Sequence, residues 1–278
     1  MNNRYIILLL VSLIFSKELY CQNIVSDRRF SPNVYNSNQI DISKQNVIYK
    51  YDYIENLKTS VRKSSLTILQ IGKIISKFTD YNLLKKDSLE NKFSKKEYLG
   101  AEEMNLIFPV LKEIGFKKEI LRDSNKDSIT FQGKVHSTKY EYKEKIPSLN
   151  WKLKKGDKVI LDYKVKKATV NYGGRKWIAW YSEDIPINLG PYIFGNLPGL
   201  ILELYDNEEN FHFSAIGIDN KQTEIYKRIE KKIVRTSKKD FFKAERNFHE
   251  KPELFVRGTI RGGANFKKIP YNPIEIID

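Results

Sequence analysis

Two adjacent glycines, Gly173-Gly174, split a strand-like stretch into two arms, Leu161–Tyr172 and Arg175–Tyr181. Such a pair suits a two-residue turn with positive φ at both centres, and that turn sets the register of the flanking strands. Tyr172 then faces Arg175, Val170 faces Trp177 and Ala168 faces Ala179 on one side of the hairpin. Thr169 faces Ile178 and Lys167 faces Trp180 on the other. The first side is apolar and should look inward. The second sets Lys167 beside the ring of Trp180, a cation–π pair of roughly 0.5–1 kcal/mol if exposed.

The second arm opens the window 177–204, which holds two tryptophans, three prolines and three glycines and closes on an apolar strand. Leu200, Leu202 and Leu204 alternate with Ile201, Glu203 and Tyr205, and the chain turns at Asn207–Asn210 to return through Phe211, Phe213 and Ala215. The loop 182–199 therefore joins two hairpins. Pro198-Gly199 reads as a tight turn, Pro fixing φ and Gly supplying positive φ. The competing reading is a ligand rim made of closely approaching backbone.

The rest of the chain predicts mostly strand. Val47–Ile54 alternates. Leu66–Gly72 continues the pattern and could run on to Phe78. Asn82–Tyr98 and Met104–Ile114 show helical spacing, the second interrupted by Pro109. Glu119–Arg122 and Ser128–Phe131 flank a polar turn. Thr138–Tyr142 is a strand, and Asn150–Leu153 an extended piece bounded by Lys155-Gly156-Asp157. Ser237 could cap a helix running to about Phe248. The fold class expected is mainly β (α+β), a curved antiparallel sheet or half-barrel with a few packed helices. The divisions are a leader over 1–21, a polar N-terminal arm over 22–45, one β-rich domain over 46–253, and a basic, partly flexible tail over 254–278.

Arg4 followed by the apolar run Tyr5–Phe15 has the length of a signal-peptide core, too short to span a bilayer comfortably. Cleavage after Cys21 would leave Gln22 first and an exported, periplasmic or envelope-associated protein. A lipoprotein with Cys21 lipidated is the rival, poorly served by Glu18-Leu19-Tyr20. Cys21 is the only cysteine of 278 residues. Once it is removed, disulfides and thiolate metal sites are excluded. The net charge is +15. Scattered lysines and arginines suit solvated faces, or attraction to an anionic envelope surface. Nucleic acid is not an expected partner for an exported protein.

Gly195-Asn196-Leu197-Pro198-Gly199-Leu200-Ile201, preceded by Gly174-Arg175, Ile185-Pro186 and Gly190-Pro191, resembles the GLPGLI family of exported bacterial proteins. Gly173, Lys167-Ala168 and the ending Asn272-Pro-Ile-Glu fall in the same order. Asn196 stands where the motif name has Gly, and Asn is the next most tolerant residue of the left-handed region. The resemblance implies envelope location and a shared fold, with no established chemistry.

The residues themselves offer little catalysis. Glu183 and Asp184 are adjacent in an extended chain and point to opposite faces, and Asp184 suits capping of local N–H groups. Ser182 lies in no nucleophile motif. The three histidines, His136, His212 and His249, are scattered and suit neither a triad nor a zinc site. Gly258–Gly263 lacks the phosphate-loop lysine. No metal or cofactor is expected. The leading expectation is a non-enzymatic envelope module that binds an apolar or peptide-like ligand through Trp180, Lys167, Asp184, Tyr192 and Phe194. An assembly partner of an outer-membrane complex would instead show an exposed apolar patch around Pro186–Phe194. An envelope hydrolase would need a histidine near Ser182.

Overall fold

A computed structural model describes residues 27–229, 232–255 and 266–277, so the proposed leader and Gly258–Gly263 lie outside the described residues. The fold is mainly β. Twelve strands form one sheet in the order β14-β7-β6-β5-β4-β3-β2-β12-β11-β10-β9-β8. They are β2 (Gln45–Ile54), β3 (Arg62–Ile71), β4 (Ile75–Asp80), β5 (Lys118–Asp123), β6 (Ser128–Val135), β7 (Thr138–Lys145), β8 (Lys152–Ile160), β9 (Tyr163–Tyr172), β10 (Arg175–Ser182), β11 (Leu200–Asp206), β12 (Phe211–Asp219) and β14 (Val234–Arg235). Pairing is antiparallel except for β14 on β7. A separate pair joins β1 (Ser37–Ile42) to β13 (Glu224–Arg228). Helices α1 (Tyr81–Phe93) and α2 (Ala101–Lys112) fill the β4–β5 connection, and α3 (Lys238–Glu250) follows β14.

The glycine hairpin pairs as the sequence predicts. Tyr172 faces Arg175, Val170 faces Trp177 and Lys167 faces Trp180. Gly173 and Gly174 take φ of 55° and 71°, the left-handed pair that a right-handed twisting hairpin needs. Alternation then writes an apolar row across six strands: Val47, Leu69, Phe78, Ile120, Phe131 and Tyr142 are successive cross-strand partners. A second row runs through Tyr51, Phe213, Leu204, Ala179 and Ala168. All of these side chains are buried.

The sheet is strongly curved. β6 and β10 are seven strand positions apart, about 34 Å if the sheet were flat. Yet Phe131 on β6 reaches Tyr192 at 6.5 Å, Tyr192 reaches Phe194 at 6.2 Å, and Phe194 reaches Trp177 on β10 at 4.8 Å. Three ring-to-ring steps, roughly 18 Å in all, close that gap. The inner face is therefore wrapped around the loop that carries Tyr192 and Phe194. Helix α3, capped by the Ser237 hydroxyl on Asp240 N at 3.1 Å, adds Phe241 against Phe131 at 5.3 Å.

The opposite face of β4–β7 is ionic. Thr79, Glu119, Gln132 and Glu141 are successive cross-strand neighbours there. Lys77, fully buried, pairs with Glu119 at 2.8 Å, lies 4.1 Å from the Tyr226 ring and donates to Tyr226 O. Lys139 meets Glu119 at 3.2 Å. Asp87 and Glu90 of α1 hold Arg228 of β13 at 2.9 and 3.0 Å. Burial alone would raise the Glu119 carboxyl, but Lys77 and Lys139 hold it down at about 2.

Four local expectations are corrected. Part of the proposed N-terminal arm is structured, because β1 finds an edge partner in β13 and Phe30 exchanges backbone bonds with Leu99 at 3.0 and 2.8 Å. The strand proposed to run on to Phe78 instead turns after Ile71, where Asp41 accepts from Ile74 N and Ile75 N. The piece at Asn150–Leu153 is not stopped by Gly156: β8 runs to Ile160, absorbing a bulge between Lys154 and Asp157. The arm drawn from Leu161 begins at Tyr163, since Leu161 and Asp162 form a left-handed turn with φ of 48° and 66°.

Glu119 supplies a pH-dependent part of stability. Its carboxyl is depressed from 4.5 to about 2, so its contribution is complete above about pH 4.5 and is lost as pH falls toward 2. Glu119→Gln should cost about 3 kcal/mol at pH 7 by leaving Lys77 buried without its carboxylate. Urea titrations should show that deficit shrinking below about pH 3.

Candidate functional site

The connection from β10 to β11 descends into the concave face instead of standing off the sheet. Ser182 pairs with Leu200 at its neck. Inside, Leu189 bridges Gly195, and Asn196 N donates to Asn188 O at 3.0 Å. Side chains from elsewhere in the chain bind its backbone and that of the start of β11. Arg122 donates to Ile193 O at 2.9 Å, Trp151 Nε1 to Gly195 O at 2.8 Å and Tyr49 to Ile201 O at 2.7 Å. Burial lowers the pKa of the Arg122 guanidinium. Asn196 adopts φ 65°, the left-handed conformation that a glycine would supply. Tyr192 also has positive φ, 59°, a cost of order 1 kcal/mol or more, met by the burial of its ring and a hydrogen bond to Glu275.

Gly199 is needed for a reason other than the one its place after Pro198 suggests. Gly199 is not among the positive-φ residues. A Cβ there would lie 2.0 Å from Ser182 O and 2.9 Å from Glu183 N. The requirement is close backbone approach at the neck of the loop.

The expected ligand residues separate. Tyr192 and Phe194 are 3% and 1% exposed, so they build the core, where the void they line is only about 10 Å³. Trp180 lies on the other face at 9% exposure, with Lys158 Nζ 4.5 Å and Lys167 Nζ 5.4 Å from its ring. The cation–π pair is there, doubled, over a covered ring. Asp184 is exposed, and its carboxylate caps no N–H among the described residues. Of the stretch Pro186–Phe194, Gly190 to Phe194 are buried while Pro186 is exposed and Ile187 and Leu189 are half-buried, so its aromatic part offers no surface to an assembly partner. Ser182 is fully buried and donates to Lys164 O at 2.8 Å, with Asp184 N as its other partner and no histidine among them. His212 meets Glu203 and Ser214 through one ring nitrogen, Nε2, at 3.1 Å each. A nucleophile–base–orienter relay uses both ring nitrogens, so this is a structural contact. Among the described residues no group of three acidic, His or Cys side chains could hold a metal ion.

The structure adds a partner for the loop that lies far away in sequence. Within the proposed basic, partly flexible tail, residues 270–277 are docked on the sheet, and the Gly-rich stretch 256–265 lies outside the described residues. Ile276 N donates to Gly173 O at 2.8 Å. Arg175 donates to Pro273 O at 2.9 Å and Asn272 Oδ1 at 2.6 Å while pairing with Asp206 at 3.0 Å. Asn272 Nδ2 donates to Ile54 O at 2.7 Å. Glu275, 2% exposed, accepts from Tyr192 and pairs with Lys238 at 2.7 Å. Lys238 also meets Glu144 at 3.1 Å and the Tyr172 hydroxyl at 2.9 Å. Burial disfavours the Lys238 charge, but Glu275 and Tyr172 outweigh it and hold its pKa above the ordinary lysine value. Burial raises Tyr192 and Glu144.

Beside this docked segment lies a cleft of about 670 Å³. Tyr51 and Tyr53 stack at 4.8 Å on its floor, with Phe116 edge-on to Tyr51 at 5.8 Å. Its wall is Pro270–Ile274, where Tyr271 packs on His249 at 4.8 Å and donates to Glu245 at 3.3 Å. Lys63, Lys112 and Lys117 stand on the rim with Glu55 and Glu113. Burial raises the Tyr271 and Tyr53 hydroxyls. Sequence reasoning marked the Tyr51 and Tyr53 alternation and the Asn272-Pro-Ile-Glu ending separately. Nothing in either shows that they meet.

Residues 118–242 match the family described as N-glycanase peptide, N-terminal domain. A search of the curated proteins returns no match. Two solved structures of PNGF-II, in space groups P21 and C2, are similar at TM-score 0.44, with 12% and 14% identity over 74% and 72% of this chain. The chain spans only 33% and 32% of their length. The matched residues run from β5 into the first turn of α3 and include the whole loop. Among the described residues no helix is long and apolar enough to cross a membrane.

Two substitutions probe this architecture. Gly199→Val should destabilise by at least about 3 kcal/mol or prevent folding, read by circular dichroism and denaturant titration, because the clash is with backbone. Arg175→Ala should cost about 3 kcal/mol, since it strands the buried Asp206 carboxylate. It should also raise hydrogen exchange across 270–277 selectively.

Proposed function

We propose that this chain is an exported, non-enzymatic cell-envelope module of the GLPGLI kind that binds a peptide-like ligand in the cleft beside its docked C-terminal segment. The observation that carries the reading is that this end of the sheet already holds a peptide segment, the chain's own residues 270–277. It reads the Pro273 and Asn272 oxygens through Arg175 and pairs backbone at Gly173. Next to that peptide it leaves about 670 Å³ over stacked tyrosines. Backbone pairing supplies affinity and neighbouring pockets supply side-chain selectivity in recognition of this type. Stacked aromatic rings beside hydrogen-bonding groups offer an apolar floor with a polar rim.

An apolar cargo has less support, because the loop's own side chains occupy the concave face. The match of residues 118–242 to an N-glycanase N-terminal domain adds support for a ligand of glycopeptide character. The run Tyr5–Phe15 supports export.

Panning a random dodecapeptide display library on the folded protein tests the reading. Wild type should enrich a sequence class that Tyr53→Ala fails to enrich, with at least about tenfold weaker binding of the selected peptide, ~1.4 kcal/mol. Glycosylated and unglycosylated forms of that peptide then rank the glycan's contribution. Equal enrichment on wild type and Tyr53→Ala, or none on either, overturns it.

A further inference from the structure

The ionic face carries a second cleft, about 850 Å³, between the β5–β7 strands and the β13 side of the molecule. Lys118 pairs with Gly133, which sets Lys117 beside Lys134, and Lys134 is directly opposite Lys139. Three lysines thus stand in one cross-strand row. Like charges directly opposite each other destabilise a sheet. From the far wall Arg228 and Lys232 face them, and Lys86 of α1 adds a sixth cation. Among the described residues two carboxylates line the same space, and both are engaged: Glu119 by Lys77 and Lys139, Glu90 by Lys86 and Arg228. Lys117, Lys134 and Lys232 have no ion pair among the described residues.

We propose that this cleft is a binding site for a multivalent oxyanion, a phosphate or sulfate ester carried on a sugar or a headgroup. Cations converge on it from two walls and from α1, which suits an ester whose oxygens point in several directions, as a single planar carboxylate's do not. The volume exceeds that of an inorganic ion, so the ester's carrier is accommodated as well. Bound anion would relieve the repulsion along the lysine row. The site lies on the ionic face and stands whether or not the peptide cleft functions.

Calorimetry with glucose 1,6-bisphosphate, and co-sedimentation with phosphatidylcholine vesicles with and without phosphatidic acid, supply the two probes. The mature protein should bind at least one, the soluble probe marking a free phosphosugar and the vesicle alone marking a headgroup. Lys134→Gln/Lys232→Gln should weaken binding at least about tenfold. The charge-matched pair Lys152→Gln/Lys154→Gln, on edge strand β8, should bind as wild type does. Relief of repulsion should leave the melting temperature of the first pair equal to or above that of wild type, which verifies its fold. Equal weakening in both pairs would reduce the effect to overall charge and overturn the site, as would no binding of either probe at low salt.

Discussion

Close backbone contact at Gly199, against the Ser182 carbonyl, is the constraint on which the rest of the concave face depends. It lets β10 and β11 converge at a narrow neck, so that residues 183–199 are directed inward. Tyr192, Phe194 and Leu197 then fill the space that the curving sheet encloses, and ring contacts from Phe116, β6 and β10 close around them. The loop is the centre of the core, and the strong curvature is the shape the sheet takes to bury it. Any side chain at 199 separates the neck strands and withdraws that filling from both halves of the sheet together.

A second consequence follows from what the buried loop presents. The Tyr192 hydroxyl needs a partner once it is away from water, and Glu275 supplies it. Glu275 in turn needs a cation, and Lys238 of α3 supplies that. Three distant parts of the chain are thereby tied by one polar cluster inside an aromatic core. The Gly173-Gly174 turn serves the same end, since its tip lies against Glu275 and Ile276 and leaves no room for side chains there. The peptide binding proposed at this end would extend contacts the fold already makes with its own C-terminal segment.

Much of the fold was legible. The hairpin register at Gly173-Gly174, the strand at Val47–Ile54, the helix following Ser237 and the left-handed Asn196 all follow from local chemistry, and the structure carries each. What was illegible depends on partners remote in sequence. Tyr192 and Phe194 read as a candidate binding surface because aromatic residues in a Pro/Gly loop look exposed until the loop's direction is known. Gly199 read as a turn glycine because adjacency to Pro198 hides the Ser182 carbonyl seventeen residues earlier. Residues 270–277 carried no sequence signal of their order because a short Pro-rich segment has no periodicity of its own, and that order comes from Arg175, Ile54 and Tyr192.

By itself the sequence determined which residues alternate, where the turns fall and which face of each hairpin is apolar, since these depend on backbone sterics and on neighbours a few residues away. Only the tertiary structure decided which way the central loop points, what meets Glu275 and which lysines share a row. Those outcomes rest on contacts such as Tyr192–Glu275, 83 residues apart, and Asn272–Ile54, 218 apart. No local preference encodes them. They exist because burying the loop leaves polar groups that must be satisfied by whatever the fold brings near.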